Sequence, residues 1–160
     1  DPYYLKNVQE ATAAGIGVGV YFFSQAVSEK EAVEEAEMVL SYIKDYNVTW
    51  PVIFDTEVIT TYNARANNLP RDLRTDVCIA FCETIEAAGY RPMVYANTKW
   101  MIMGIDLERL TKYDKWYAYY GTTFTFPYHY DMLQYSDKGK VPGISGAVDL
   151  DISFVDYSAE

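Results

Sequence analysis

Apolar and polar positions along the chain switch between a helical and a strand-like period, and the order of the segments is the first clue to the fold. Residues 2–14 predict a helix: Asp1 takes the N-cap position, Pro2 the first helical position, Leu5 and Val8 are apolar, and Gly15 ends it. Ile16-Gly-Val-Gly-Val-Tyr-Phe-Phe23 predicts a strand, with glycines where a backbone or ligand approaches closely. Ser28 caps a long amphipathic helix over 29–46, and Glu31, three residues on, completes a capping box. Ala32, Ala36, Val39, Leu40 and Ile43 form its apolar side, and the acidic run Glu31, Glu34, Glu35, Glu37 is expected to be its solvated outer face. Residues 51–57 read as a strand and 71–88 as a helix closed by Gly89. Residues 91–96 follow as a strand and 97–103 as a short helix. Strand candidates at 115–120, 132–135 and 148–154 come last, with little helix between them. A βα-alternating first half and a mostly β last third predict an α/β fold, a parallel TIM-like barrel whose late helices are lost. An open doubly wound sheet would need more helices late in the chain.

One of these strands carries the candidate chemistry. Pro51-Val-Ile-Phe-Asp-Thr-Glu-Val58 is an apolar run that ends with Asp55 and Glu57 two residues apart. Residues i and i+2 of a strand share a face, with Cα atoms roughly 6.5–7 Å apart. A carboxylate pair at the end of a buried strand is a common place for an α/β enzyme to hold its chemistry. Carboxyl groups roughly 5–5.5 Å apart serve retaining glycosidases and wider pairs serve inverting ones, so the spacing points to sugar chemistry without fixing its stereochemistry. Two other readings stand beside it: a solvated strand end, and oxygen ligands for a hard divalent cation, with Asp55, Glu57 and Asp149 as the set.

Composition narrows the choice. With 160 residues, 50% hydrophobic and 22% charged, the chain has the makeup of one globular domain over residues 1–160 with one substantial core. A net charge of −10 with no dense Lys/Arg cluster argues against nucleic acid as a partner. No apolar stretch of 18 residues and no signal peptide is visible, so no membrane span is expected. The chain then reads as soluble inside the cell or as a trimmed part of an exported protein. Sixteen Tyr, three Trp and seven Phe suit both core packing and stacking on sugar rings. Cys78 and Cys82 share a helix face and are expected to be buried free thiols. The single His129, in the aromatic segment Phe124-Thr-Phe-Pro-Tyr-His-Tyr130, supports neither a Ser-His-Asp triad nor a multi-His metal site. No cofactor is expected, and carboxylates must carry any hydrolysis.

Gly19-Val-Tyr-Phe-Phe, the Phe-Asp-Thr-Glu motif, Arg91-Pro-Met-Val-Tyr-Ala, Trp116-Tyr-Ala-Tyr-Tyr, and Met132-Leu-Gln-Tyr-Ser through Val141-Pro-Gly-Ile-Ser-Gly-Ala-Val-Asp-Leu150 occur in this order. Together they resemble glycoside hydrolase family 25, the lysozymes (N-acetylmuramidases) of bacteria, phages and some fungi. The resemblance implies an irregular β/α barrel with its site at the C-terminal strand ends. It implies cleavage of the β-1,4 bond from N-acetylmuramic acid to N-acetylglucosamine in bacterial peptidoglycan, outside the cell or at its wall, or from the cytoplasm on release if the source is a phage. Glu57 matches the general acid/base, Asp55 the acidic partner that stabilises charge or steers the acetamido group, and Asp149 the acidic residue of the last strand. Retention with neighbouring-group help is the outcome the family leans toward. A general acid needs a pKa raised toward neutrality, which a nearby carboxylate promotes, so Glu57 is expected to be the proton donor and Asp55 its charged partner. Asp149 and Asp151 share a strand face, and only the family pattern favours Asp149. Tyr21 and Phe23 share one face, Trp116, Ala118 and Tyr120 another. Tyr21, Phe23, Tyr95, Trp116, Tyr120 and Gln134 are the expected substrate-binding residues.

The family opens with a strand carrying a Gly-Ile-Asp-Val-Ser type motif, then a helix and a second strand; this chain starts at the helix that follows. The resemblance therefore implies a barrel incomplete at its N-terminus, since such a fold usually takes about 200 residues or more. Its two apolar edges would invite self-association or a complementing N-terminal segment.

Overall fold

Six strands form one curled sheet in the order in which the chain makes them. The computed structural model describes residues 2–123 and 125–159. β1 (Val20–Phe23), β2 (Val52–Asp55), β3 (Pro92–Asn97), β4 (Asp114–Ala118) and β5 (Met132–Gly139) pair in parallel, and β6 (Val148–Ser153) returns antiparallel to β5. α1 (Tyr4–Ala13), α2 (Glu29–Ile43) and α3 (Arg71–Ala87) alternate with the first strands. Beyond α3, the longest helical pieces among the described residues are a π-helical turn at Trp100–Gly104 and a 3-10 turn at Tyr157–Ala159. The result is the expected α/β fold with its late helices lost, its sheet curled into a half-barrel.

The central strands were legible because they are covered on both faces, which makes them near-continuous apolar runs. Every residue of β2 is buried. On the outer face, Val52, Phe54, Val94 and Leu133 pack against Ala32, Ala36, Val39 and Ile43 of α2 and Val77, Phe81 and Ile85 of α3. Cys78 and Cys82 lie in this layer as buried free thiols. Over β4, which no helix covers among the described residues, Phe126 stacks on Tyr117 with ring centroids 4.3 Å apart and Tyr130 joins at 5.3 Å. On the inner face, Ile53, Met93, Tyr95, Ala118 and Met132 close around Tyr157, delivered by the C-terminal turn. Phe81 is fully buried, its ring 5.3 Å from that of Phe54. Phe81→Ala is expected to cost about 3–5 kcal/mol, read as a lower denaturant midpoint at unchanged slope.

Several boundaries differ from the expectation, each for a local reason. α1 begins at Tyr4, after a turn at Pro2 and Tyr3, and the Asp1 cap lies outside the described residues, as does Phe124 of the aromatic segment. β1 begins at Val20, because Val18 O accepts from Thr49 N and Trp50 N instead of joining the ladder. The close approach expected at the glycines is real: a Cβ on Gly17 would sit 2.2 Å from Trp50 Nε1, and one on Gly19 2.8 Å from Pro51 O. Ser28 Oγ accepts from Glu31 N at 3.3 Å, but the Glu31 carboxylate accepts from Val27 N, one residue before the cap. Glu35 is not on a solvated face. It accepts from Ser24 Oγ at 2.6 Å and Gln25 N at 3.0 Å, tying α2 to the turn after β1, and burial raises its pKa. β5 runs on to Gly139 because β6 pairs with it past Tyr135, through two register shifts.

The outer edge of β1 has no strand beside it among the described residues, and Tyr21 is 66% exposed there. Among the described residues no helix is long and apolar enough to cross a membrane.

Candidate active site

The parallel ladder sets the floor of a site at the C-terminal strand ends. Its register places Phe23, Asp55, Tyr95 and Trp116 in one lateral row, and laterally paired residues share a sheet face. Glu57 stands two residues past Asp55, beyond the end of β2. A cleft of about 100 Å³ is lined by Tyr21, Asp55, Glu57, Tyr95, Trp116, Gln134 and Asp149. Beside it a wider cleft of about 410 Å³ is lined by Glu57, Tyr95, Asn97, Thr98, Lys99, Ala118, Tyr119 and Tyr120. Glu57 and Tyr95 line both, so they form the ridge between them.

All three expected carboxylates thus meet in one cleft with Tyr21, Tyr95, Trp116 and Gln134. Tyr120 belongs to the wider cleft. Phe23 lies beside Asp55 in the row but lines neither cleft. Gln134, 3% exposed, joins the two sides: its Oε1 accepts from Tyr95 Oη at 2.8 Å and also from the Tyr120 hydroxyl. The Trp116 ring meets Tyr95 edge-on at 4.6 Å, and its Nε1 donates to Asp151 Oδ1 at 2.8 Å. That bond separates the two acids of β6: Asp149 lines the cleft, while Asp151 serves the indole. Asp151's partner and the cleft wall at Asn97 and Lys99 were missed in the sequence. Asn97 stands two residues past Tyr95 on the same face, a signal that strand parity could have supplied.

Burial and mutual repulsion shift both acids of the motif. Asp55 is 5% exposed, its Oδ1 has no hydrogen-bond partner, and burial followed by the Glu57 charge pushes its pKa up to about 8. This setting favours the protonated form of Asp55 at neutral pH, whereas its expected role is that of a charged partner. Burial also raises the pKa of Glu57, helped by Asp149 across the cleft. Glu57 thus has carboxylates on two sides, Asp149 across the cleft and Asp55 on its own strand, whose pKa the Glu57 charge raises in turn. The Tyr95 hydroxyl is pushed up as well, first by burial and then by Glu57, so it remains a donor to Gln134. His129 is exposed and bonded to Asp131 at 2.9 Å, away from this cleft's lining. Among the described residues no three His, Cys, Asp or Glu side chains are grouped to hold a metal ion.

Known proteins resemble this chain over most of its length. The model for glycosyl hydrolases family 25 matches residues 1–144. YegX of Escherichia coli (strain K12), a protein described as uncharacterized, is 26% identical over 161 aligned positions, covering 95% of this chain and 53% of YegX. The chain therefore spans about half the length of the curated relatives it matches. Among solved structures, the CTP1L endolysin is 29% identical with a TM-score of 0.77, covering 96% of this chain and 52% of that one. A bacterial lysozyme from Streptomyces coelicolor shares the fold at 24% identity and a TM-score of 0.77, covering 99% of this chain and 77% of its own.

Proposed function

This chain belongs to glycosyl hydrolases family 25, and from that premise we propose that it hydrolyses the β-1,4 bond between N-acetylmuramic acid and N-acetylglucosamine in the peptidoglycan of bacterial cell walls. The observation that carries the reading is the place of Glu57: a half-buried carboxyl with a raised pKa on the ridge shared by two clefts, where a sugar on each side would meet. Glu57 gives its proton to the bridging oxygen as the bond from C1 to that oxygen breaks. Positive charge then develops at C1 of the muramic ring, and the acetamido oxygen of the same sugar closes on it. Asp55 Oδ1, buried without a partner, accepts the acetamido N–H. That hydrogen bond favours the ionised carboxylate, so Asp55 releases its proton to solvent as the substrate binds and faces the developing charge as a carboxylate. Water then attacks C1, its proton returns to Glu57, and the sugar is released with its configuration retained. Asp149 keeps the proton on Glu57 before reaction, while Tyr21, Trp116 and the Tyr95–Gln134–Tyr120 set hold the rings.

A metal-dependent hydrolase using Asp55, Glu57 and Asp149 is not favoured, because the donors do not group as a ligand set among the described residues. A glycan-binding remnant gives no reason for the raised pKa of Glu57 on the ridge. The test is digestion of purified peptidoglycan by the chain with and without a chelator, following new reducing ends. Equal release in both supports the reading. Release that disappears with the chelator and returns with a divalent ion establishes the metal route, and saccharide binding without release establishes the remnant.

A further inference from the structure

Glu57 stands where the sheet no longer holds the chain. The last backbone bond of β2 is Thr56 N donating to Tyr95 O at 3.2 Å, and beyond it the chain leaves the ladder. Two polar side chains take over. Asn67 brackets Ile59, two residues past Glu57: its Oδ1 accepts from Ile59 N at 3.0 Å and its Nδ2 donates to Ile59 O at 2.7 Å. This is the pair of bonds that a neighbouring strand would supply. Asn67 is in turn fixed by Arg74 of α3, a residue 2% exposed whose guanidinium lies 3.8 Å over the Trp100 ring. Arg74 Nη2 donates to Ala66 O at 2.9 Å and reaches Asn67 O at 3.3 Å and Leu69 O at 3.4 Å, folding the 65–69 turn around itself. Its Nη1 reaches Thr56 Oγ1 at 3.5 Å, on the near side of Glu57. No carboxylate is among these partners, although a buried cation is costly without a counter-ion. The carbonyls of the turn that carries Asn67 serve instead.

We propose that Asn67, held by Arg74, is a positioning residue that aims Glu57 into the cleft by clamping the backbone at Ile59 while Thr56 is held from the other side. The inference rests on Glu57 being the proton donor. Neither clamp residue lines the clefts, so both act through the backbone. The titratable groups that line the two clefts with Glu57 are Tyr21, Asp55, Tyr95, Lys99, Tyr119, Tyr120 and Asp149, and none belongs to the clamp.

Asn67→Ala tests this without disturbing the buried guanidinium, and Asn67→Asp, which keeps the acceptor for Ile59 N, is the conservative control. The Glu57 carboxyl is titrated by carbon-13 NMR in wild type and both variants, beside kcat and KM on peptidoglycan fragments. Burial is the main cause of the raised Glu57 pKa, so in Asn67→Ala the midpoint falls toward the ordinary carboxylate value as the freed side chain meets solvent. The alkaline limb of the rate profile falls with it, and kcat drops about ten- to hundredfold at nearly constant KM. Asn67→Asp lies between. An unchanged Glu57 titration in Asn67→Ala overturns the clamp, as does a loss of rate that follows only the folded fraction with no movement of the pH profile. The titration decides the clamp without turnover, so a wild-type chain that releases no reducing ends would sink the proposed hydrolysis separately.

Discussion

Glu57→Gln is expected to lower the rate of reducing-end release from peptidoglycan by about 10²–10⁴-fold, the range for removing a positioned general acid. Gln keeps the shape and the half-buried setting of Glu57, so KM should stay close to its wild-type value, and kcat and kcat/KM should fall together. Burial and the Asp149 charge hold the proton on Glu57 at a pH where an ordinary carboxylate has lost it, and the amide has none to give. The same shift has a signed pH dependence: wild-type activity falls as pH rises through the raised pKa of Glu57. Steady-state kinetics on a soluble peptidoglycan fragment check both. A variant with wild-type kcat would remove Glu57 from the chemistry.

The second large effect is on stability and concerns Asp55. Its pKa is 3.8 in the reference state and about 8 in the fold, so the folded protein binds the proton more tightly. Stability is then greatest below pH 4 as far as this group is concerned. It is lost at about 1.4 kcal/mol per pH unit as pH rises through that window, and the loss is complete above about pH 8. Integrated over the window this is about 5–6 kcal/mol, an upper figure because Glu57 shares the titration. Asp55→Asn mimics the protonated form and escapes the penalty. At pH 9 it should melt well above wild type and resist more denaturant, while at pH 3.5 the two should nearly coincide. The gain would accompany a loss of activity, since the amide cannot take the charge that the reaction calls for. Equal melting temperatures at both pH values would show that Asp55 is not buried as an acid.

What could be read from the sequence was whatever depends on local pattern. The motif around Asp55 and Glu57 was legible because β2 is buried on both faces and its apolar run ends where the carboxylates begin. The loss of late helices was legible in the crowding of short strands after residue 115. The protonation of Asp55 was not, because burial comes from neighbours on β1 and β3, far apart in the chain. Glu35 looked like one more acid on a solvated face, and only the turn after β1 draws it inward. Asp149 and Asp151 were equivalent by parity until the Trp116 indole claimed one of them. Asn67 and Arg74 carry no signal of their own: a loop amide and a helical arginine acquire their roles from bonds to backbone that is distant along the chain or on another element.

The most direct test of the central claim is the chemical identity of the ends that this chain produces. Purified peptidoglycan is digested, the new reducing ends are reduced with borohydride, and the fragments are read by mass spectrometry. N-acetylmuramicitol ends, made with or without chelator and absent from the Glu57→Gln digest, are the predicted result. Reduced N-acetylglucosamine ends, or no new ends from a chain that circular dichroism shows to be folded, would contradict the account.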